Sequence, residues 1–286
     1  MHYSKIPNIY KTLFISFITY FFLMLFINNS YALQVKLSSK SVKQGDVFTI
    51  FIEDKHVPIV QFNNTYIPLR RQSEHTYIGF IAIDLHTIPG KYVLNITSND
   101  KEESIDVDIE KSSFKVIHLN LPQEKVFLKE KDLMRAEKEA AILGKIFKEI
   151  NPPLWDGQFA KPLNNSISTE FGVKRIMNKT KVSVHKGIDI RGKSGEKVYT
   201  INKGRVVLAQ DLFFGGNTVI VDHGQGIYSI YMHLSKINVS KGEIVKKGQS
   251  IGLVGATGRA TGPHLHFGVK IAGIDVNPLS LFNLNL

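Results

Sequence analysis

Hydrophobic positions follow three different patterns along the chain. From about Leu33 to Lys115, short runs of β-branched and aromatic residues are separated by turn signals such as Pro89-Gly90. Regularly spaced runs of this length predict a small all-β sandwich of the immunoglobulin-like type. The runs that carry this pattern are Val47–Ile52, Tyr77–Ile83 and Tyr92–Ile96.

The second pattern extends from Leu128 to Ile150. Apolar residues recur there every three or four positions, with Lys and Glu between them, until Asn151-Pro152-Pro153 ends the run. This spacing predicts one amphipathic helix, which the prolines cannot continue. We expect the helix to pack against the rest of the chain; pairing with a partner helix and simple joining of two domains are the alternatives. Its apolar positions are Leu133, Ala136, Ala140, Leu143, Phe147 and Ile150.

Glycine-rich turns separate strand-like runs in the last part of the chain. This pattern predicts an antiparallel, barrel-like β domain over residues 161–286. The chain is therefore predicted to be mainly β, with a sandwich at residues 33–115, a helical linker at 116–160 and the barrel-like domain after it. The runs of this last domain are Gly204–Ala209, Asn217–Val221, Ile227–Tyr231 and Gly242–Gly252.

The N-terminus has the order of features found in secretory signal peptides. Lys5 and Lys11 precede an apolar run from Leu13 to Ile27, and Ser30-Tyr31-Ala32 follows it. Residues 1–32 are therefore predicted to be a signal peptide cleaved after Ala32. The run is shorter than the roughly 20 residues of a membrane span, but an uncleaved anchor that holds the protein at the membrane is the alternative. In either case we expect the protein to be exported.

Charge and cysteine content narrow the classes of partner. The chain has no cysteine, so no disulfide stabilises it, and its formal net charge of +11 becomes +9 without residues 1–32. A chain this basic is attracted to polyanions. Nucleic acid fits the charge but not an exported protein, and no basic stripe with interleaved aromatic residues occurs, so we predict no nucleic-acid binding.

Three histidine segments carry the candidate chemistry. They are His-Lys-Gly-Ile-Asp at 185 to 189, Tyr-Met-His-Leu at 231 to 234 and Pro-His-Leu-His-Phe at 263 to 267. Side chains alternate along an extended strand, so His185 and Asp189 are predicted to share one face, as are His264 and His266. A catalytic zinc ion takes three protein ligands and leaves a position for water. With His233 there are five candidate groups, which leaves two for proton transfer and oxyanion stabilisation.

The helical motif His-Glu-x-x-His is absent, so a metal site of this kind would be built on strands. The order and spacing of the three segments resemble the M23 family of peptidoglycan endopeptidases, the lysostaphin-type or LytM-type enzymes, over residues 161–286. This resemblance implies that His185, Asp189 and His266 bind Zn²⁺ and that His233 and His264 form the catalytic pair. It further implies a bacterial periplasmic or cell-envelope enzyme that hydrolyses peptide crosslinks of peptidoglycan with a zinc-activated water.

The sequence is compatible with several alternatives. A non-catalytic LytM-like protein could instead activate a separate cell-wall amidase. An active enzyme could also be held closed by its N-terminal domain, with Asn164 or Asn165 filling the open position on the metal. The β-sandwich could bind the cell wall, act as a spacer or cover the active site. We expect a monomer, a structural role for His223, and a loop at residues 213–216 that could line a groove.

Overall fold

Ten strands occupy the first part of the chain in a computed structural model that describes residues 33–120, 123 and 127–286. The predicted signal peptide, residues 1–32, lies outside the described residues. No helix within the described ranges is long and apolar enough to cross a membrane. The strands are β1 (Gln34–Leu37), β2 (Ser41–Lys43), β3 (Val47–Glu53), β4 (Ile59–Phe62), β5 (Thr65–Tyr66), β6 (Leu69–Arg71), β7 (Thr76–Ala82), β8 (Gly90–Ser98), β9 (Lys101–Glu110) and β10 (Val116–Leu119).

Strands β1 to β9 form the two sheets of the predicted sandwich. One sheet has the order β1-β3-β7-β6 and the other has the order β2-β9-β8-β4-β5. All pairs are antiparallel except β2 with β9, which is parallel. The sheets pack on each other through side chains such as Phe48 and Phe62, whose ring centroids are 6.0 Å apart. The mainly β fold predicted for this part of the chain is confirmed.

The sheet that contains β3 and β7 is buried on both faces. Its inner face carries Phe48, whereas the opposite face carries Phe80, whose ring lies 5.3 Å from Trp155 and 6.3 Å from Phe159. Antiparallel sheets commonly leave one face exposed to water, so burial of the outer face of this sheet needs an explanation. This burial shows that the sandwich shares an apolar core with the C-terminal part of the chain, and Gln34–Leu286 form one compact unit.

Polar contacts also join the sandwich to the C-terminal part of the chain. The Arg70 guanidinium lies 4.2 Å from the ring centroid of Trp155 and donates a hydrogen bond of 2.6 Å to the carbonyl of the same residue. The buried amide of Gln225 donates to the carbonyls of Pro68 and Ile78, at 2.8 and 2.9 Å. Since these carbonyls belong to the sandwich, Gln225 joins the two parts of the chain by bonds that water cannot easily replace.

The C-terminal part contains thirteen further strands and the two helices that the described ranges include. The strands are β11 (Ile167–Thr169), β12 (Lys174–Met177), β13 (Lys181–Val184), β14 (Ile188–Arg191), β15 (Lys197–Tyr199), β16 (Gly204–Leu212), β17 (Gly216–Asp222), β18 (Ile227–Leu234), β19 (Lys236–Ile237), β20 (Ile244–Val245), β21 (Ser250–Leu253), β22 (His264–Ile271) and β23 (Ile274–Val276). The helices are α1 (Glu130–Ile146) and α2 (Pro278–Phe282).

The largest sheet has the order β11-β14-β22-β18-β17-β16-β20, with β23 beside β22. Its path is open, with β11 and β20 at its two ends, so the predicted barrel-like domain is a β fold without a closed barrel. The run Gly242–Gly252, predicted as a single strand-like unit, divides between two sheets. Strand β20 pairs with β16, whereas β21 pairs with β15 and β19.

The segment predicted as a helical linker begins with a strand. Strand β10 pairs in parallel with β12, so the linker first extends a small sheet of the C-terminal part, in the order β10-β12-β13. Helix α1 then packs on one face of the large sheet, where Phe147, just after the helix, lies 5.4 Å from the ring of Tyr228. The expectation that this helix packs within the chain is confirmed.

The packed face of α1 differs from the predicted apolar stripe. Leu133 is 45% exposed, and Ala140 and Ile150 are exposed as well. Glu139 lies instead on the packed side, where it accepts hydrogen bonds from the Arg135 side chain and from the backbone of Phe213. The helix is therefore held partly by polar contacts, which a search for apolar periodicity does not detect.

Candidate metal centre and active site

Three of the five predicted groups converge on one point. His185 Nε2 lies 2.9 Å from Asp189 Oδ1 and 3.0 Å from His266 Nδ1, and the distance between His266 Nδ1 and Asp189 Oδ1 is 2.9 Å. The three side chains are between 6% and 15% exposed. Their ligand atoms are close enough together to bind one metal ion.

The chemistry of these atoms fits a metal ion. The Nδ1–H of His185 donates a 2.8 Å hydrogen bond to the Glu170 carbonyl, so Nε2 is the ring nitrogen that faces the cluster and can bind a metal. Two imidazole nitrogens and a carboxylate oxygen would repel one another at these distances unless a cation or shared protons lay between them. Two His and one carboxylate is also a known ligand set of catalytic zinc sites.

Strand pairing places Asp189 and His266, whereas a turn places His185. Asp189 on β14 is directly opposite His266 on β22. His185, however, lies between the last residue of β13, Val184, and the first residue of β14, Ile188. The prediction that His185 and Asp189 share one extended strand is therefore wrong, because the chain turns between them, and it is this turn that lets both side chains reach the cluster.

Gly187 lets this turn lie close against β22. A Cβ at residue 187 would lie 2.4 Å from the carbonyl oxygen of Phe267 and 2.9 Å from Nε2 of His266. Both distances are shorter than real Cβ contacts, so only glycine permits this approach to β22. The glycine in the middle of the His-x-Gly-x-Asp segment thus has a packing role that follows from the site itself.

His264 and His233 complete the cluster. His264 lies on the same face of β22 as His266, as predicted, and its Nε2 is 3.7 Å from Asp189 Oδ1. The rings of His264 and His233 have centroids 4.8 Å apart. In each ring Nδ1–H donates to a backbone carbonyl, that of Thr257 for His233 at 2.9 Å and that of Gly262 for His264 at 2.8 Å. Nε2 is therefore the nitrogen of each ring that is available for proton transfer.

The backbone of His233 interrupts strand alternation. The neighbouring Met232 is directly opposite His266, so a regular strand would turn the next side chain to the other face. His233 instead has a φ of 65°, in the left-handed region, and its backbone N–H donates a 2.7 Å hydrogen bond to the Gly215 carbonyl. This conformation is uncommon outside glycine and brings the ring to within 6.1 Å of the His266 ring, between centroids.

Burial and hydrogen bonding shift the pKa values of the cluster. Burial alone would raise the pKa of Asp189, but hydrogen bonds and charges from His185 and His266 outweigh it and hold that pKa well below its usual range. Burial lowers the pKa of His233 to about 4, although the bond to the Thr257 carbonyl opposes the shift. Burial likewise lowers the pKa of His266, against the opposing effect of Asp189. Asp189 is thus ionised and His233 neutral at physiological pH.

Other predicted residues lie apart from the cluster. His223 is fully buried between the Lys203 carbonyl and the Ser229 hydroxyl, each 2.8 Å away, which agrees with a structural role. Asn165 donates instead to the Arg191 carbonyl at 3.0 Å and to Glu196, and Asn164 is exposed. Among the described contacts neither asparagine reaches the histidines, so the structure does not bring them to the metal position.

The predicted loop at residues 213–216 flanks the site. Phe214 is 53% exposed, and the ring of Phe213 lies 5.0 Å from it. The carbonyl of Gly215 accepts the backbone N–H of His233, and the backbone N–H of Phe213 donates to Glu139 of helix α1. The loop therefore supports the position of His233 in addition to presenting an exposed aromatic ring.

Sequence reasoning missed Arg175. This residue of β12 places Nη2 3.9 Å from Asp189 Oδ2, the carboxylate oxygen that does not face the imidazoles. It also missed Thr257, whose carbonyl orients His233 while its hydroxyl contacts the Leu234 carbonyl and the Asn217 N–H. Neither residue belongs to a recognisable motif, because each contacts a site residue that is distant in sequence and comes close only in the folded chain.

Residues 183–278 match the model of Peptidase family M23. This segment contains all five clustered residues and most strands of the large sheet. It is a Peptidase family M23 domain with the β fold of that family, and the resemblance noted from the three histidine segments is confirmed.

Two curated relatives are similar over the same part of the chain. The peptidoglycan DD-endopeptidase ShyA of Vibrio cholerae is 44% identical over 114 residues, which is 40% of this chain and 26% of ShyA. The DD-carboxypeptidase/endopeptidase Mpg of Neisseria meningitidis is 36% identical over 115 residues, again 40% of this chain and 26% of the relative. The matched region thus spans about a quarter of the length of these relatives.

One solved structure is similar over a longer part of the chain. A crystal structure assigned to peptidase M23 from Pseudomonas aeruginosa has a TM-score of 0.66 and 28% identity, and the match covers 84% of this chain and 94% of that one. The family match extends only from residue 183 to residue 278. The structural similarity to the Pseudomonas aeruginosa protein therefore includes much of the chain before the M23 domain.

Proposed function

We propose that the protein is a zinc metalloendopeptidase that hydrolyses peptide crosslinks of peptidoglycan. The observation that supports this most strongly is the convergence of two imidazole nitrogens and a carboxylate oxygen within 3.0 Å of one another, beside two further histidines. The similarity to ShyA, a peptidoglycan DD-endopeptidase, supports the same substrate class.

In this proposal His185, Asp189 and His266 hold the zinc. A bound Zn²⁺ supplies Lewis acidity and lowers the pKa of a coordinated water to about 7. His233 is neutral because its pKa lies at about 4, so Nε2 can accept a proton from the attacking water. His264, with Nδ1–H bound to the Gly262 carbonyl, directs Nε2 at the same space; when this nitrogen is also protonated, its N–H would donate to the developing oxyanion or give its proton to the leaving amine.

We further propose that residues 1–32 are a signal peptide and that the protein acts in the bacterial periplasm or cell envelope as a monomer. We also propose a division into the β-sandwich at residues 33–115, the linker at 116–160 and the catalytic domain at 161–286. Because Phe80 and Trp155 pack in one core, the sandwich acts as a fixed support for the catalytic domain.

Digestion of crosslinked peptidoglycan by the purified protein tests this function. The protein would be incubated with intact sacculi as purified, after metal removal with a chelator, and after addition of Zn²⁺, and the muropeptides would be separated and weighed by mass spectrometry. We expect crosslinked dimers to decrease and monomers to appear, to stop after chelation, and to resume with zinc.

Two other results would contradict the proposal. Bound zinc without any loss of crosslinks would favour a regulator that activates a separate amidase, which mixing with a purified amidase would then reveal. Cleavage that persists in the metal-free protein would contradict the metal-dependent mechanism itself. The His266→Ala variant serves as the matched inactive control in each incubation.

A further inference from the structure

Arg175 lies beside the three candidate metal ligands, and it forms only a long ion pair with one of them. Its guanidinium is 3.9 Å from Asp189 Oδ2, near the limit for an ion pair, and its side chain is 38% exposed. Asp189 Oδ1 is occupied by His185 and His266, so the carboxylate cannot offer both oxygens to the guanidinium. Within the described residues no other carboxylate lies within 4.0 Å of Arg175. Most of its five N–H donors therefore have no partner among the described residues, and the partly exposed side chain can offer them to a ligand.

The backbone around Arg175 is fixed on both sides. Strand β12 is the middle strand of the small sheet, where Arg175 is opposite Ile117 of β10 and Ser183 of β13. A side chain on such a supported strand holds its position better than one on a loop. The linker strand β10 thus contributes to the site by bracing the strand that carries this arginine.

The surrounding charge favours an anionic ligand. Residues 161–286 contain 17 Lys and Arg residues against seven Asp and Glu residues, whereas residues 33–160 contain 17 against 18. The net positive charge of the exported chain therefore belongs to the catalytic region. The hairpin of β12 and β13 adds Lys174, Lys179 and Lys181 to Arg175 and contains no acidic residue.

The planar guanidinium matches a carboxylate, to which it can donate two parallel hydrogen bonds. Peptidoglycan crosslinks differ in whether they carry a carboxylate next to the leaving nitrogen. In a bond from D-alanine to diaminopimelate, the carbon that bears the leaving nitrogen also carries a free carboxylate. In a crosslink through a glycine bridge, the leaving nitrogen belongs to a chain of glycines and has no such neighbour.

We propose that Arg175 binds the substrate carboxylate next to the leaving nitrogen and so selects diaminopimelate-type crosslinks over glycine bridges. This inference rests on the proposed peptidoglycan endopeptidase function. Arg175 is then a specificity residue on the leaving-group side of the cluster, and its contact with Asp189 is the resting contact that a substrate carboxylate replaces.

Two matched substrates test the proposal. One is a purified muropeptide dimer with a free carboxylate on the diaminopimelate carbon beside the scissile bond, and the other is the same dimer with that carboxyl group amidated. We expect the wild-type protein to show a KM about 10- to 100-fold lower for the free carboxylate, the range expected for a charged hydrogen bond. Arg175→Gln should raise the KM for the free carboxylate to that of the amide and leave the amide unchanged.

The neighbouring Lys174 supplies the matched control. It is exposed on the same strand and points to the other face, so Lys174→Gln removes the same charge without touching the cluster. We expect this variant to keep the wild-type preference. Calorimetric titration of each dimer into the His233→Ala protein gives a second measurement, of binding alone, and should show the same preference for the free carboxylate.

The outcomes separate this inference from the proposed function. If the wild-type protein cleaves neither dimer, the proposed function fails. If it cleaves both with the same KM, the function stands and the role of Arg175 is refuted. If Arg175→Gln loses bound zinc, Arg175 is a positioning residue for Asp189, and the carboxylate proposal is overturned.

Discussion

The sandwich and the M23 domain are both built from β-strands, but they use them differently. In the sandwich, alternation is regular: Phe48, Ile50 and Ile52 on β3 are all nearly inaccessible and point to one side. In the M23 domain, the functional side chains occur where regularity ends. His185 lies outside any strand and His233 has a left-handed backbone. Regular strands form the scaffold in both regions. In the M23 domain, irregular backbone at His185 and His233 brings the functional side chains together.

The two regions also differ in charge and in buried polar groups. The sandwich and linker together are nearly neutral, whereas the M23 domain and its flanks carry the excess of Lys and Arg. The M23 domain also buries His185, Asp189 and His223, each in a set of hydrogen bonds. Buried polar and ionisable side chains lower the stability of the fold unless they are hydrogen-bonded or paired. Their concentration in the M23 domain therefore indicates that the functional site lies there.

The largest effect is expected from a change at a metal ligand. Asp189→Asn keeps the shape of the side chain but removes the charge that faces the two imidazoles. We expect crosslink cleavage to fall about a thousandfold or more, since the metal contributes several kcal/mol to such reactions. Asp211→Asn, at an exposed position of the same domain, should leave the rate unchanged. Equal losses in both variants would show a general effect on folding.

A change at His233 should separate chemistry from metal binding. His233→Ala removes the proposed general base, and we expect cleavage to fall about a hundredfold or more with the zinc content unchanged. The rate would be measured with purified muropeptide dimers and zinc by atomic emission on the same sample. Full turnover in this variant would refute the role of His233.

Substitution of Gly187 tests whether the turn builds the site. The Cβ of Gly187→Ala would meet the Phe267 carbonyl and His266, so β22 must move away. We expect zinc affinity to fall about 10- to 100-fold, as for other changes that misplace metal ligands. Gly144→Ala on helix α1 is the control, because a Cβ there meets no atom within 4 Å. Unchanged zinc affinity in Gly187→Ala would contradict the packing role.

The smallest effect concerns stability rather than activity. Burial lowers the pKa of His223 to about 4, below its usual value of 6.5. The unfolded chain therefore binds more protons than the folded one as the pH falls from 6.5 towards 4, so acid favours unfolding. From pH 7 to pH 5 this group should lower the free energy of unfolding by about 2 kcal/mol.

Urea unfolding of the metal-free protein at both pH values measures this change. His223→Gln cannot be protonated, so its loss of stability between the two pH values should be smaller than that of the wild type by about 2 kcal/mol. An equal pH dependence in both proteins would show that His223 does not titrate as its burial requires.

Much of this account could be predicted from the sequence. Alternating and helical hydrophobic periodicity located most long strands and the helix, and the spacing of the three histidine segments identified the five clustered residues. The pairing of His264 with His266 on one face followed directly from strand geometry.

The rest depended on contacts that sequence patterns do not encode. The left-handed backbone of His233 accompanies a hydrogen bond to the Gly215 carbonyl, which lies in the turn between β16 and β17. The strand at β10 forms only because β12 lies beside it, and a four-residue run in a linker carries no clear signal. Arg175 could not be recognised because its relation to Asp189 exists only across two sheets.

Zinc stoichiometry in five single-alanine variants tests the central claim most directly. Equilibrium dialysis against buffered zinc would be followed by metal analysis of the wild-type protein and of variants at His185, Asp189, His266, His233 and His264. The account predicts one zinc per wild-type chain, loss of that zinc in the first three variants and retention in the last two. Zinc retained without His266, or lost without His233, would contradict the division between metal ligands and catalytic residues.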